Sequence, residues 1–175
     1  MAYNEATGYS PIIESHFYQF AQDKSITLHS KYSEMYSAGG DNALLDGVRG
    51  HSNFRLGGWQ GYQGTDFSAT IDLLKVKDIH KVSVGFLQDT RAWIIFPTAM
   101  TVEVSEDNIH FEPYGTFVNQ VPANNYEEQI QEFIVSKDAK CRYIRITAKT
   151  FGKLPEWHLG AGGDSHIFVD EVTVE

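Results

Sequence analysis

A chain of 175 residues, 42% apolar and 13% aromatic, suits one folded domain with a single sizeable core, not a disordered segment. Its 14 basic and 23 acidic residues leave a net charge of −9, which argues against a nucleic-acid footprint and against docking on anionic membranes. A lone cysteine, Cys141, excludes an internal disulfide.

Residues 1–23 are polar with scattered aromatics and a proline at Pro11, and read as a linker or a peripheral segment. Their opening, "MAYNEATGYSPIIESHFYQF", has no basic start followed by an apolar core, so no export signal is read there. No apolar run approaches the roughly 18 residues of a membrane span. From Lys24 the pattern turns strand-like, and "SITLHSKY" alternates around Ile26 and Leu28. "DNALLDG" predicts one short helical turn that closes into an Asp-Gly turn at Asp46. The stretch Leu44–Phe67, "LLDGVRGHSNFRLGGWQGYQGTDF", carries six glycines. That much glycine loses conformational entropy on folding, so a ligand, a metal or a tight corner is expected to compensate.

Runs with period two follow. "FSATIDLLKV" alternates through Phe67, Ala69, Ile71 and Leu73, and "HKVSVGFLQD" through Val82, Val84 and Phe86. "AWIIFP" is short and stopped by Pro97; "AMTVEVSED" alternates through Met100, Val102 and Val104. "DNIHFEPYGTFV", "QIQEFIVS", "CRYIRITAKTF" and "HIFVDEVTVE" complete the series. With no sustained helical period, about eight strands separated by turn signals predict an all-β sandwich or barrel. Cys141, within "KCRYIRITA", reads as a small buried apolar residue.

Enzyme motifs are missing: no Gly-x-Ser-x-Gly elbow, no phosphate loop before a helix and no His-Glu-x-x-His. "GAGGDS" leads into a strand, so it lacks the helix N-terminus that binds phosphate. No two carboxylates stand out as a hydrolytic pair, and the seven histidines show no zinc spacing. A hard cation is a different matter. Asp46 precedes a glycine that lets carbonyls fold around a point, and Asp170 and Glu171 near the C-terminus offer further oxygens. An ordinary Asp-Gly turn is the alternative. Trp59, Tyr62, Trp93 and Trp157 lie in or beside expected loops. Trp157 sits in the long loop "KLPEWHLGAGGDSH", the kind of segment that commonly carries function. Exposed aromatics beside polar side chains suit sugars; filling a core is the alternative for each.

The segments "LLDGVRG", "ATIDL", "SVGFLQDTRAWIIFPTAMTVEVSED", "RYIRITA" and "GAGGDSHIFVDEVTV", in that order, resemble the coagulation factor 5/8 type C, or discoidin-like, domain. This family includes the family-32 carbohydrate-binding modules. The wording is most similar to the C-terminal accessory domains of Bacteroidetes family-20 β-hexosaminidases (chitobiases), over residues 24–175. The resemblance implies an eight-stranded antiparallel jelly roll of the galactose-binding-domain type. It also implies a structural calcium, or sodium in its place, held by Ala43, Asp46, Val48 and Glu171 with the carbonyl of Asp170. Gly57 stands where the family offers a Ser or Thr ligand. The family's sugar pocket lies on loops at one end of the sandwich, and the matching loops hold His51 and Arg55; Asp89, Arg91 and Trp93; and Trp157 and His158.

The expected function is a non-catalytic carbohydrate-binding accessory domain. It would tether a larger exported glycoside hydrolase, extracellular, periplasmic or at the cell surface, to glycans bearing GalNAc, GlcNAc or galactose. Its partners are then glycans and the parent enzyme's catalytic domain, with neither nucleic acid nor membrane insertion. The alternative is a structural module that packs on the catalytic domain and binds no sugar; protein or lipid-headgroup recognition is a third reading. Sugar binding requires Trp157 and Arg91 exposed around one end of the sandwich, whereas a buried Trp157 favours the spacer.

Overall fold

The computed structural model describes residues 23–175, together with the two-residue strands β1 (Tyr3–Asn4) and β2 (Gly8–Tyr9), which pair antiparallel. The linker expected over residues 1–23 otherwise lies outside the described residues. Seven further strands follow: β3 (Ser25–Leu28), β4 (Gln60–Gln63), β5 (Phe67–Gln88), β6 (Ala99–Ser105), β7 (Glu112–Val118), β8 (Gln129–Lys149) and β9 (His166–Val174). They form one antiparallel ladder in the order β4-β9-β5-β8-β6-β7, with β3 on the early part of β5.

The ladder becomes a sandwich because β5 and β8 each serve two layers. The first half of β5, Phe67–Asp72, pairs with β3 and with Tyr143–Ala148 of β8, whose other side meets β6. The later half, Lys81–Gln88, pairs with Gln129–Ser136 of β8 and with β9. Between them the register shifts at Asp72/Lys77, where Leu74 takes a left-handed conformation (φ 62°) and donates its N–H to Asp72 Oδ1 at 2.7 Å. Arg142 clamps this corner with two bonds to the Asp72 carboxylate, 2.8 and 2.9 Å. A bidentate guanidinium–carboxylate pair fixes orientation as well as proximity.

Inward side chains of the two layers meet in one core. Phe67, Ala69, Ile71, Met100, Ile144 and Ile146 of one layer face Val82, Val84, Phe86, Phe133 and Val172 of the other. Phe133 stacks on Phe117 of the opposite layer at 4.3 Å between centroids and meets Phe86 and Phe96. Cys141 is fully buried here, and burial pushes its thiol up to about 11, as expected for an inert core residue.

Among the described residues the sandwich has seven strands where about eight were expected, and the differences have local causes. "FSATIDLLKV" and "HKVSVGFLQD" are one strand whose inward phase switches from odd to even positions at the irregularity between Ile79 and Lys81. "QIQEFIVS" and "CRYIRITAKTF" likewise join as β8. "AWIIFP" is no strand. Trp93 ends a 3-10 turn in a left-handed conformation, and Ile94 makes only single bridges to Asp89 and His166. β4 was not expected, because "QGYQ" has no apolar alternation. Among the described residues no helix is long and apolar enough to cross a membrane.

A second, smaller cluster lies on the outer face of the β9–β5 layer. The loop before β4 folds over it, placing Phe54 and Trp59 on Leu87, Ile94 and Phe168. Trp59 is anchored by its indole N–H, which donates to the His51 carbonyl at 2.8 Å. Gly50 lies flat against the Trp59 indole, where any Cβ would collide with the ring. We expect Gly50→Ala to lower stability by about 1–3 kcal/mol, the usual cost of overpacking, measured by chemical denaturation. Gly50, one of the six glycines of Leu44–Phe67, therefore serves a cover over an apolar sheet face.

Candidate functional site

The chain's early loop is fastened to its last strand. Register shifts between β5 and β9 near Gly85, so that Val84 pairs with Val172 and Phe86 with Val169. Asp170 and Glu171 fall in this bulge, and both are buried, at 1% and 6% exposure. Asp170 accepts from Arg49 Nη1 and from the Gly50 N–H, each at 3.1 Å, while Arg49 also pairs with Glu132. The space for this crossing comes from Gly85, where a Cβ would meet both Asp170 and Arg49. Burial pushes the Asp170 carboxyl up, with Arg49 opposing.

Glu171 turns instead to the Asp-Gly turn. The short 3-10 turn Asp41–Leu45 ends at Asp46, and Gly47 (φ 76°) donates its N–H to Glu171 Oε2 at 2.9 Å. Asp46 Oδ1 accepts from the Val48 N–H at 2.8 Å. Burial first, and the nearby Asp46 charge after the Gly47 bond, leave the Glu171 carboxyl up at about 7. Asp46 and Glu171 thus share one loop, no Lys or Arg side chain pairs with Glu171 among the described residues, and each carboxylate keeps one oxygen free of the hydrogen bonds named. An all-oxygen set with surplus negative charge fits a hard cation. Among the described residues no three His, Cys, Asp or Glu side chains converge, so carbonyls such as those of Ala43 and Val48 would have to complete the shell. Asp170 has its carboxylate committed to Arg49 and Gly50; only its carbonyl remains for such a role.

A separate candidate site gathers three end loops. Trp157 is 47% exposed, and its ring stands near-perpendicular (73°) to that of Tyr126, itself 40% exposed, at 6.3 Å. Arg91, also exposed, lies over the Tyr126 ring at 5.7 Å and donates from Nη1 to the Tyr126 carbonyl at 2.9 Å. The result is two aromatic faces and a guanidinium open to solvent.

What holds them is a buried polar frame. Thr90 Oγ1 bonds the carbonyls of Ala123 and Asn125 at 3.0 and 2.8 Å. Gln88 Nε2 donates to the carbonyls of Pro122 and Asn125 at 3.0 and 3.3 Å. Both side chains are fully buried, so these bonds satisfy groups that would otherwise be stranded. Trp93 sits behind, with Gly160 and Gly163 close against its indole.

Of the residues expected to contact sugar, Arg91 and Trp157 come together at the surface. Asp89, mostly buried, begins the 3-10 turn that carries Arg91. Trp93 is half-buried, meeting His158 edge-on at 6.3 Å. His158 is 4% exposed with both ring nitrogens bonded, which makes it a support beneath the loops and removes it from the surface. His51 and Arg55 belong elsewhere, on the cover over the outer face, where His51 Nδ1 accepts from the Asn53 N–H at 2.9 Å and Arg55 lies over Phe54 at 4.4 Å. Tyr126 was missed. It stands in the polar run "NNYEEQ", which has no motif to mark it.

A family model described as the F5/8 type C domain matches residues 25–162. No curated protein matches the chain in sequence. Solved structures with a similar fold include CpGH89CBM32-6 from Clostridium perfringens, at TM-score 0.50 and 18% identity, covering 89% of this chain and 94% of that one. Another is CpGH89CBM32-5 from the same organism, in complex with GalNAc-β-1,3-galactose, at TM-score 0.53 and 16% identity over 87% and 94% of the two chains. A third is the C-terminal domain of a chitobiase from Bacteroides fragilis, at TM-score 0.53 and 16% identity over 88% and 93%. At these identities the likeness is one of fold. The family match, however, spans well over half of the sequence, and the chain belongs to the F5/8 type C domain family.

Proposed function

We propose that this domain is a non-catalytic carbohydrate-binding module whose sugar platform is Trp157, Tyr126 and Arg91. The observation that carries the reading is the pair of exposed, near-perpendicular rings mounted on a buried polar frame. A sugar's C–H face stacks on one ring while Arg91 and neighbouring loop groups take its hydroxyls. Such binding needs no bond-breaking, and the one thiol is buried out of reach. Membership of the family and the carbohydrate-binding modules among its structural neighbours support the same reading.

In this reading the domain tethers a glycoside hydrolase, of the β-hexosaminidase type, to glycans bearing GalNAc, GlcNAc or galactose outside the cell. The chitobiase domain among its neighbours supports that parent. A structural calcium, with sodium as substitute, would be held by Asp46 and Glu171 with the carbonyls of Ala43, Val48 and Asp170, and would pin the early loop to β9. A glycan array probed with the chain tests the function. Retention on glycans ending in those sugars is expected; an array with no retention overturns it in favour of a spacer packed on the catalytic domain.

A further inference from the structure

His158 is buried beneath the exposed Trp157, and its two ring nitrogens do different things. Nε2 lies 2.6 Å from the Thr90 carbonyl, and a carbonyl oxygen only accepts, so Nε2 carries the proton. Nδ1 lies 2.9 Å from the Gly160 N–H, which only donates, so Nδ1 is bare. The two bonds fix a neutral imidazole in one tautomer. They also join two loops separated by 68 positions in sequence. The Thr90 that receives the first bond holds Ala123 and Asn125 through its hydroxyl, directly before Tyr126. Its other neighbour is Arg91. One imidazole therefore closes a chain of bonds through the loops that carry Trp157, Arg91 and Tyr126, while touching Trp157 edge-on at 5.7 Å and Trp93 at 6.3 Å.

We propose that His158 is the positioning residue of the platform: its two ring bonds, one given to the Thr90 carbonyl and one taken from the Gly160 N–H, hold Trp157 in register with Tyr126 and Arg91. This rests on the sugar-binding reading above.

The test compares wild type, His158→Gln and His158→Ala at one pH. Two readouts are taken: affinity for GalNAc-β-1,3-galactose, and, without sugar, the NMR signals of the Trp157 indole and the Tyr126 amide. His158→Ala loses both bonds and should bind at least about tenfold more weakly, with both signals displaced. His158→Gln keeps a donor for the Thr90 carbonyl but loses the acceptor for Gly160, so it should recover part of that loss. Unchanged affinity in His158→Ala, or equal losses in the two variants, overturns the proposal. If the wild type ignores the disaccharide, the platform reading fails for this sugar. The NMR signals then still decide: displacement of both signals in His158→Ala supports the positioning role, and a Tyr126 signal that stays in place overturns it.

Discussion

Phe133→Ala is expected to cost about 3–5 kcal/mol of unfolding free energy, the usual range for removing a buried phenylalanine. Phe133 is fully buried on the early half of β8, and its ring meets Phe86 beside it, Phe96 from the following loop and Phe117 across the core. It therefore ties the two layers together where neither helix nor disulfide does. Truncation removes its own burial and leaves a cavity bounded by three rings that cannot collapse together without moving their strands. Phe133→Leu keeps most of the apolar volume and should cost much less, within about 1.5 kcal/mol. Chemical denaturation of both variants checks this. A loss below about 1 kcal/mol for the alanine variant would mean that the layers do not meet at this residue.

The second large effect is at Glu171. Its carboxyl, usually near 4.5, is raised to about 7 in the fold, chiefly by burial. A carboxyl raised in this way holds its proton more tightly folded than unfolded. The linked stabilisation is present below about 4.5, falls as pH rises, and is gone once pH passes about 7. Allowing for solvent at the loop's edge, the swing is about 2 kcal/mol. Other groups titrate too, and hydrogen bonds hold Asp107 well below the ordinary carboxylate range. The informative quantity is therefore the wild type minus Glu171→Gln, measured with a chelator present. In that difference the wild type should lose about 2 kcal/mol between pH 4.5 and 7, and Glu171→Gln should be the more stable at neutral pH.

If calcium occupies the proposed shell, the order is expected to reverse. A cation that binds only the folded state adds about 2.7 kcal/mol at a hundredfold excess over its dissociation constant. It needs Glu171 ionised, so the rise in melting temperature should be larger at neutral pH than at acid pH, and absent in Glu171→Gln. Equal calcium response in the two proteins would remove Glu171 from the proposed shell.

The alternation of apolar residues made the all-β class readable, because a half-buried strand must alternate. What it hid was continuity. The phase of β5 flips near Ile79, so one strand read as two, and the corner at Asp72 and Leu74 that makes the sandwich has no apolar signal of its own. The Asp170–Glu171 pair was visible, but strict alternation would send the two side chains to opposite faces. Only the bulge facing Gly85 explains why both are buried and why one takes Arg49 while the other takes Gly47. At the end loops, Arg91 and Trp157 could be named from the family pattern. Tyr126 could not, since its place depends on Thr90 and Gln88 capturing a loop more than thirty positions away. The burial of His158 was equally beyond sequence, because its partner Thr90 lies on another loop.

The most direct test of the account is a calorimetric titration of the best-retained array glycan into wild type and Trp157→Ala. An exposed aromatic at the centre of a small site carries about 2 kcal/mol, so Trp157→Ala should bind about 30-fold more weakly with its melting temperature nearly unchanged. Equal affinity in the two proteins would contradict a platform at Trp157.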